Sequence, residues 1–226
     1  MSQRHIIVVG GTRGLGLELA RAAVARGDRV TVAGRDEAHA KEQARLLGSA
    51  ASGASCDLTD WPTLARLFSS VESIDHLVLA ALDRDHNDIA DFRPDDSART
   101  SLMKNVGYAA AVHHALRKFT SDASVLLFSG LSMWRPMPGS TTISMANAGI
   151  IGLMNSLTVQ IAPVRVNTIT PGLVTGTNAV DEADPVRAEA YERQRRKTPG
   201  GRLPHREDIV HAAFGSWTTP GSTGRT

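Results

Sequence analysis

Lysine, cysteine and long apolar runs are scarce in this sequence of 226 residues. Lysine occurs only at positions 41, 104, 118 and 197, so arginine supplies most of the positive charge. The single cysteine, Cys56, excludes an internal disulfide and a multi-cysteine metal site, so no metal is expected and a reducing, cytoplasmic compartment is predicted. No unbroken apolar run approaches the ~20 residues that a membrane-spanning helix needs.

The composition is otherwise that of an ordinary globular protein. Hydrophobic residues make up 42% and charged residues 21%, which excludes a disordered or fibrous chain. The formal net charge of +2 is too small to indicate a nucleic-acid or membrane partner. A chain of this length is expected to form one compact domain, residues 1–226.

Short β-branched runs alternate with alanine-rich amphipathic stretches, as in a parallel sheet covered by helices on both faces. Polar segment 83–98 is predicted to be an exposed loop, and Thr59 to cap the helix that begins near Trp61. The pattern predicts a single-domain, doubly wound Rossmann-type α/β fold in three layers. Its strands are expected at 5–9, 29–33, near 56, 75–82, 124–129 and 164–169, and its helices at 15–26, 36–47, from 61, 101–119, 141–161, 181–197 and 205–217.

A glycine-rich loop follows the first strand and opens a helix, which is the context that a dinucleotide-binding loop requires. Gly10 allows a tight turn, Gly14 lets the backbone approach a pyrophosphate, and Gly16 lets the helix pack close to the sheet. The helix N-terminus offers free N–H groups and a partial positive charge to phosphates. The loop residues predicted to bind the cofactor are Gly10, Thr12, Arg13, Gly14, Leu15 and Gly16.

The end of the second strand indicates which dinucleotide is bound. An NAD site normally carries an acidic residue there, but this chain has Ala33-Gly34-Arg35. Arg13 and Arg35 would both favour a 2′-phosphate, which predicts NADP(H). The alternative is that both arginines are solvated surface residues.

Five motifs occur in the order found in short-chain dehydrogenases/reductases, and the chain resembles that family from about His5 to its end. They are VGGTRGLG at 9–16, CDLTD at 56–60, NVG at 105–107, RVN at 165–167 and PGLVT at 171–175. The resemblance implies Asn105 as the helix asparagine that organises the active site, and a substrate lid around 176–203. It also implies cofactor contacts from Asp57, Leu58, Ala80, Ala81, Asn147, Pro171, Gly172, Val174 and Thr175.

The catalytic positions of that family are not kept. Ile143 stands where the family has its proton-donating tyrosine, Asn147 where it has the lysine, and Gly130 where it has the serine. Ser129 and Ser132 flank the serine position and are, with a water held by Asn105, the remaining candidate catalytic groups. The family's Asn-Asn-Ala-Gly is here Leu79-Ala80-Ala81-Leu82.

Two function classes follow from these departures. The first is an NADP(H)-dependent reductase with a small-molecule substrate, such as an iminium or an activated C=C, that needs no strong general acid. The alternative is a non-redox protein on the same fold, either a cyclase or isomerase or a cofactor-binding pseudoenzyme. Because the sequence stops at the lead-in to the family's last strand, that strand is expected to be missing, with the sheet edge open to a partner in a homodimer or homotetramer.

Overall fold

The computed structural model of the chain describes residues 3–83, 86–177, 185–219 and 222–224. Its strands are β1 His5–Val9, β2 Arg29–Gly34, β3 Ala51–Ser55, β4 Ile74–Leu79, β5 Phe119–Phe128 and β6 Arg165–Ile169. They form one parallel sheet in the order β3-β2-β1-β4-β5-β6. The predicted Rossmann-type fold is therefore confirmed.

Helices connect the strands and cover both faces of the sheet. They are α1 Gly14–Ala25, α2 Glu37–Leu47, α3 Trp61–Ser69, α4 Pro94–Ser101, α5 Gly107–Ala115, α6 Thr141–Gln160, α7 Pro185–Lys197 and α8 Arg206–Thr218. A π-helical turn, Leu102–Val106, joins α4 to α5.

The core is continuous on both faces because β1 is apolar from Ile6 to Val9 and β4 from Leu77 to Leu79. In β1, Ile7 and Val9 pack with α3, α5 and α6, whereas Ile6 and Val8 pack with α1, α2 and α8. Such uninterrupted apolar strands are typical of parallel sheets, which are buried on both sides. This arrangement brings the carboxyl ends of β1 and β4 together where the strand order reverses, the usual position of a ligand site in such sheets.

The segment before α5 differs from the sequence prediction. Residues 83–98 do not form one exposed loop, because α4 begins at Pro94 and Asn87 is fully buried, where its side chain bonds the Arg93 backbone. Proline at the first turn with Asp95 and Asp96 beside it favours a helix start. The polar composition of residues 83–98 predicts a loop instead, and the helix signal is the correct one. The single helix predicted at 101–119 is instead α4, the π-helical turn and α5.

The predicted cap of α3 is also wrong. Asp60 occupies the N-cap position, and the Thr59 hydroxyl donates to Asp57 Oδ1 at 2.7 Å. Residue 59 therefore stabilises the turn after β3 instead of the helix. The predicted helix at 181–197 is described from Pro185 onward, and residues 181–184 lie outside the described part.

The outer edge of β6 carries the last described residues. Gly224 N–H donates to Val166 O at 2.7 Å, and Val166 N–H donates to Thr223 Oγ1 at 3.1 Å. The Asn167 amide donates to Ser222 O at 2.7 Å. Within the described residues the sheet has six strands, and part of its β6 edge is covered by this segment.

Helix α6 departs from the expectation that no segment suits a membrane. By length and composition alone it is long and apolar enough to cross one, with a mean hydropathy of 1.2, because small polar residues rather than charges interrupt its apolar ones. A third of it is buried in the fold. Its inner face, which includes Ile150, Met154 and Leu157, belongs to the core under β5 and β6.

Candidate active site

A cavity of about 510 Å³ lies at the carboxyl ends of the strands, against the glycine-rich loop. A Cβ on Gly10 would lie 2.4 Å from the Ala81 N atom, and a Cβ on Gly16 would lie 2.2 Å from Gly10 O. Both positions therefore exclude any side chain. Gly10 also has a φ of +83°, which favours glycine.

The N-terminus of α1 forms one end of the cavity. The first turn carries no acidic residue and the Arg13 side chain does not cap it. Because the residues of this turn line the cavity, the positive end of the helix dipole lies beside it. Arg13, the N-cap residue, and Arg35 line the same end. The Arg35 guanidinium bonds the Asp83 carboxylate at 3.3 Å, a partner after β4 that the sequence prediction did not anticipate.

The middle of the cavity is lined by the segments after β3 and β4. Asp57 Oδ1 accepts bonds from the N–H and the hydroxyl of Thr59, so this turn is fixed by its own hydrogen bonds. Thr175 is the one predicted cofactor residue that does not line the cavity. Its N–H donates to Pro204 O at 3.0 Å. The predicted residues that do line it are Gly10, Thr12, Arg13, Gly14, Leu15, Gly16, Arg35, Asp57, Leu58, Ala80, Ala81, Asn147, Pro171, Gly172 and Val174.

The far end of the cavity contains Gly130, Ile143 and Asn147, the positions that the family resemblance aligns with its serine, tyrosine and lysine. Ile143 and Asn147 are one helical turn apart on α6, and both line the cavity with Gly130. A Cβ on Gly130 would lie 2.5 Å from Asn147 Nδ2. A side chain at position 130 would therefore collide with Asn147, so glycine at 130 and asparagine at 147 depend on each other.

Asn147 is held firmly but one of its atoms has no partner. Its side chain is 3% exposed, and its Nδ2 donates to Ser132 Oγ at 2.9 Å. Its Oδ1 is buried without a hydrogen-bond partner among the described residues. A buried acceptor of this kind costs free energy unless a ligand or water donates to it.

The candidate catalytic residues act mostly on the backbone around Asn147. Ser129 lines the cavity, and its hydroxyl donates to Asn147 O at 2.9 Å. Ser132 and Asn105 do not line the cavity, and the Asn105 amide donates to Ala146 O at 2.8 Å. Asn105 and Ser132 therefore position α6, and neither is placed to touch a substrate.

Sequence reasoning missed Lys104 as a site residue. It lies in the π-helical turn, is 2% exposed and lines the cavity. Burial lowers the pKa of its ammonium group to about 7. Helical spacing could have found it, because positions 104, 108, 111 and 115 form one buried stripe that continues into α5.

The residues present fit a dinucleotide. Glycines allow close backbone approach, two arginines and a helix N-terminus offer positive charge, and Asn147 Oδ1 is a free acceptor for a ribose hydroxyl. Among the described residues no group of three or more His, Cys, Asp or Glu side chains is arranged for a metal ion.

Comparison with known proteins agrees with this geometry. A family model described as enoyl-(acyl carrier protein) reductase matches residues 9–215. The short-chain dehydrogenase/reductase malC of Malbranchea aurantiaca is 25% identical over 232 residues, which cover 92% of this chain and 86% of the relative. The 3-oxoacyl-(acyl-carrier-protein) reductase FabG of Salmonella typhimurium is 26% identical over 218 residues, covering 91% of this chain and 86% of that one.

The fold is shared with solved structures. That of the MalC reductase/Diels-Alderase from Malbranchea aurantiaca superimposes with a TM-score of 0.90 at 23% identity, covering 100% of this chain and 93% of the other. The glycine-rich loop, the strand order and the family model together identify the chain. It belongs to the short-chain dehydrogenase/reductase family.

Proposed function

We propose that this protein is an NADP(H)-dependent oxidoreductase whose substrate accepts hydride without a strong general acid. Members of its family use nicotinamide dinucleotides, which supply or accept the hydride. The observation that carries the proposal is the contrast between the two ends of one cavity. The glycine-rich end keeps the glycines and arginines predicted to bind the dinucleotide. Ile143, at the predicted proton-donor position, can neither donate nor accept a proton.

The substrate class follows from that missing proton. Reduction of a ketone creates an alkoxide that must be protonated, and losing general acid catalysis costs about 10²- to 10⁴-fold in rate. An iminium carbon becomes a neutral amine when it takes the hydride. A C=C polarised by a carbonyl becomes a stabilised enolate that can take its proton from water, so neither needs a strong general acid. These two classes are therefore the proposed substrates.

Each part of the chain has a role in this proposal. The α1 N-terminus and the glycine-rich loop would hold the pyrophosphate, and Arg13 and Arg35 the 2′-phosphate. Asn147 Oδ1 would accept from a ribose hydroxyl in place of the family's lysine. The Ser129 hydroxyl donates to Asn147 O, so it would orient α6 and would need to rotate to reach a substrate.

The alternative is a non-redox protein, a cyclase or isomerase, or a cofactor-binding pseudoenzyme. The joint change at positions 130, 143 and 147 favours it, because ordinary carbonyl reduction uses all three. The Malbranchea aurantiaca relative is described as a reductase/Diels-Alderase, so that protein's name pairs reduction with a ring-forming reaction. The complete glycine-rich end supports the redox proposal instead.

A substrate panel distinguishes these functions. Purified protein is mixed with NADPH and matched ketones, enones and cyclic imines while nicotinamide absorbance is followed. We expect turnover of the imine or enone and slow or no turnover of the ketone. Tight NADPH binding with silence across the panel would favour the non-redox alternative, and preferential ketone reduction would contradict the proposed substrate class.

Cofactor preference gives a second prediction. NADPH should bind more tightly than NADH, and Arg35→Ala should reduce that ratio by about tenfold, because hydrogen bonds to charged groups contribute about 1.5–3 kcal/mol. Asp83→Asn should increase the ratio, since the carboxylate 3.3 Å from Arg35 competes for its charge. Calorimetric titration with each cofactor measures both.

The matched control is Arg45→Ala, which removes an exposed arginine that is also paired with a carboxylate, that of Glu42. It should leave the ratio unchanged. Equal affinity of the wild-type protein for the two cofactors would refute the NADP(H) assignment.

The remaining expectations concern assembly and location. We propose a homodimer or homotetramer in the cytoplasm, with residues 176–203 as a substrate lid. Two apolar side chains on α6 support self-association, because Met145 is 52% and Val159 80% exposed. The Tyr191 hydroxyl of α7 donates to Val174 O at 3.2 Å, which ties the described part of the lid to the cavity wall.

A further inference from the structure

Lys104 is a buried cation without a counter-charge. Fully buried lysines are rare in proteins unless they are paired. Among the described residues, however, its Nζ has no hydrogen-bond or ion-pair partner. It lies 5.9 Å from the centroid of the Tyr108 ring and is not one of the fully enclosed polar atoms, so it is open to the cavity that Lys104 lines. The Tyr108 hydroxyl is itself engaged, since it donates to Ala81 O at 2.8 Å.

The charged and titratable groups around the cavity do not compensate Lys104. The Asp57 carboxylate accepts from Thr59, and the Asp83 carboxylate pairs with Arg35 and lies 3.9 Å from Arg99. Burial, not a neighbouring charge, is the cause of the lowered Lys104 pKa. The other charged or titratable side chains that line the same cavity or pack beside Lys104 are Arg13, Arg35, Asp36, His39, Cys56, Asp57, Asp83, Arg99, Tyr108 and Tyr191.

The position of Lys104 relates it to the cofactor end of the cavity. Tyr108 bonds Ala81, and the Ala81 backbone touches Gly10 of the glycine-rich loop. Two contacts of the residues that follow Lys104 hold it in this position. Asn105, next to Lys104, bonds α6 at Ala146, and a Cβ on Gly107 would lie 2.4 Å from Leu58 O.

An ammonium group that is buried except where it opens onto a cavity loses much of its hydration, and a ligand in that cavity can supply the missing acceptor. π-Helical turns are frequent at functional sites. We propose that Lys104 binds ribose or phosphate oxygens of the dinucleotide, and so supplies from the α4–α5 turn the active-site cation that position 147 has lost. This inference rests on the proposed NADP(H) site.

Proton uptake on binding follows from that role. With a pKa of about 7, the amine of the free protein is mostly neutral at pH 8 and mostly protonated at pH 6. Anionic or hydroxyl oxygens beside the ammonium raise its pKa, so the bound protein holds a proton at both pH values. Binding should therefore take up close to one proton at pH 8, and about 0.1 at pH 6.

The test is calorimetric titration with NADPH in buffers of different ionisation enthalpy at pH 6 and pH 8, which counts the protons bound. Lys104→Met should abolish the uptake at pH 8 and weaken NADPH binding about 10- to 100-fold, the effect of losing a hydrogen bond to a charged group. The 2′-phosphate also titrates near pH 6, so the wild-type and variant difference is the quantity compared.

Two further variants complete the design. Lys41→Met removes an exposed lysine paired with Glu37 on α2 and should change neither quantity. Lys104→Gln repeats the test with a polar side chain should the methionine variant melt early. Replacing a buried unpaired charge is expected to leave the unliganded protein at least as stable in a thermal melt.

The possible outcomes separate this inference from the proposed function. Unchanged NADPH affinity and proton uptake in both Lys104 variants would overturn the role of Lys104 while the NADP(H) site stands. A wild-type protein that binds no dinucleotide would overturn both.

Discussion

Restoring the three family residues should turn this protein into a ketone reductase. The variant with Gly130→Ser, Ile143→Tyr and Asn147→Lys is expected to reduce a simple ketone about 10²- to 10⁴-fold faster than the wild type, the usual contribution of general acid catalysis. Positions 143 and 147 both line the cavity one helical turn apart. A tyrosine and a lysine there would face the same space.

The effect of a side chain at position 130 depends on the residue at position 147. Gly130→Ser alone should destabilise the protein, because its Cβ would lie 2.5 Å from Asn147 Nδ2 and overpacking typically costs about 1–3 kcal/mol. In an Asn147→Ala background that penalty should disappear. Urea unfolding of the single and double variants measures the coupling free energy.

The control for the triple variant is Met145→Tyr, which adds a tyrosine on the exposed side of the same helix. It should give no ketone reduction. A triple variant that folds, binds NADPH and still shows no gain would indicate that the cavity has been reshaped for another reaction.

Gly10→Ala should be strongly destabilising and should abolish cofactor binding. The new Cβ would meet backbone atoms of Ala81 at 2.4–2.6 Å, and neither the loop nor β4 can yield without moving the cavity wall. Left-handed strain of about 1–2 kcal/mol adds to overpacking of about 1–3 kcal/mol. We expect a loss of roughly 3 kcal/mol or more in the free energy of unfolding, together with the loss of NADPH binding.

Gly27→Ala separates the two causes. Gly27 has almost the same backbone angle, a φ of +88° against +83°, but nothing lies within 4 Å of its Cβ position. It should therefore show the strain alone, about 1–2 kcal/mol, and bind NADPH normally. Equal losses in the two variants would mean that the contact with Ala81 contributes nothing.

The sequence predicts the sheet and the glycine-rich end of the cavity well, because both depend on local patterns. The apolar runs of β1 and β4 can only be buried strands, and the glycines at 10, 14 and 16 have a spacing tied to phosphate binding. The motifs on either side also predict that positions 143 and 147 correspond to the family's tyrosine and lysine.

Other features depend on contacts between distant segments. Helical spacing can indicate that Lys104 is buried, but its place in the cavity requires the π-helical turn and the packing of Tyr108 under Ala81, which no local pattern encodes. The link between Gly130 and Asn147 joins a strand end to a helix seventeen residues away. The pairing of Arg35 with Asp83 likewise joins the ends of two strands and is invisible in one dimension.

The hydrogen bonds at the outer edge of β6 limit how copies of the chain can associate. A strand from a second copy could extend the sheet beside Val166 only by displacing Thr223 and Gly224 from its backbone N–H and C=O groups. Such an exchange replaces bonds already made and gains little free energy. If copies of the chain associate, their contact is therefore expected to use a surface other than this stretch of β6.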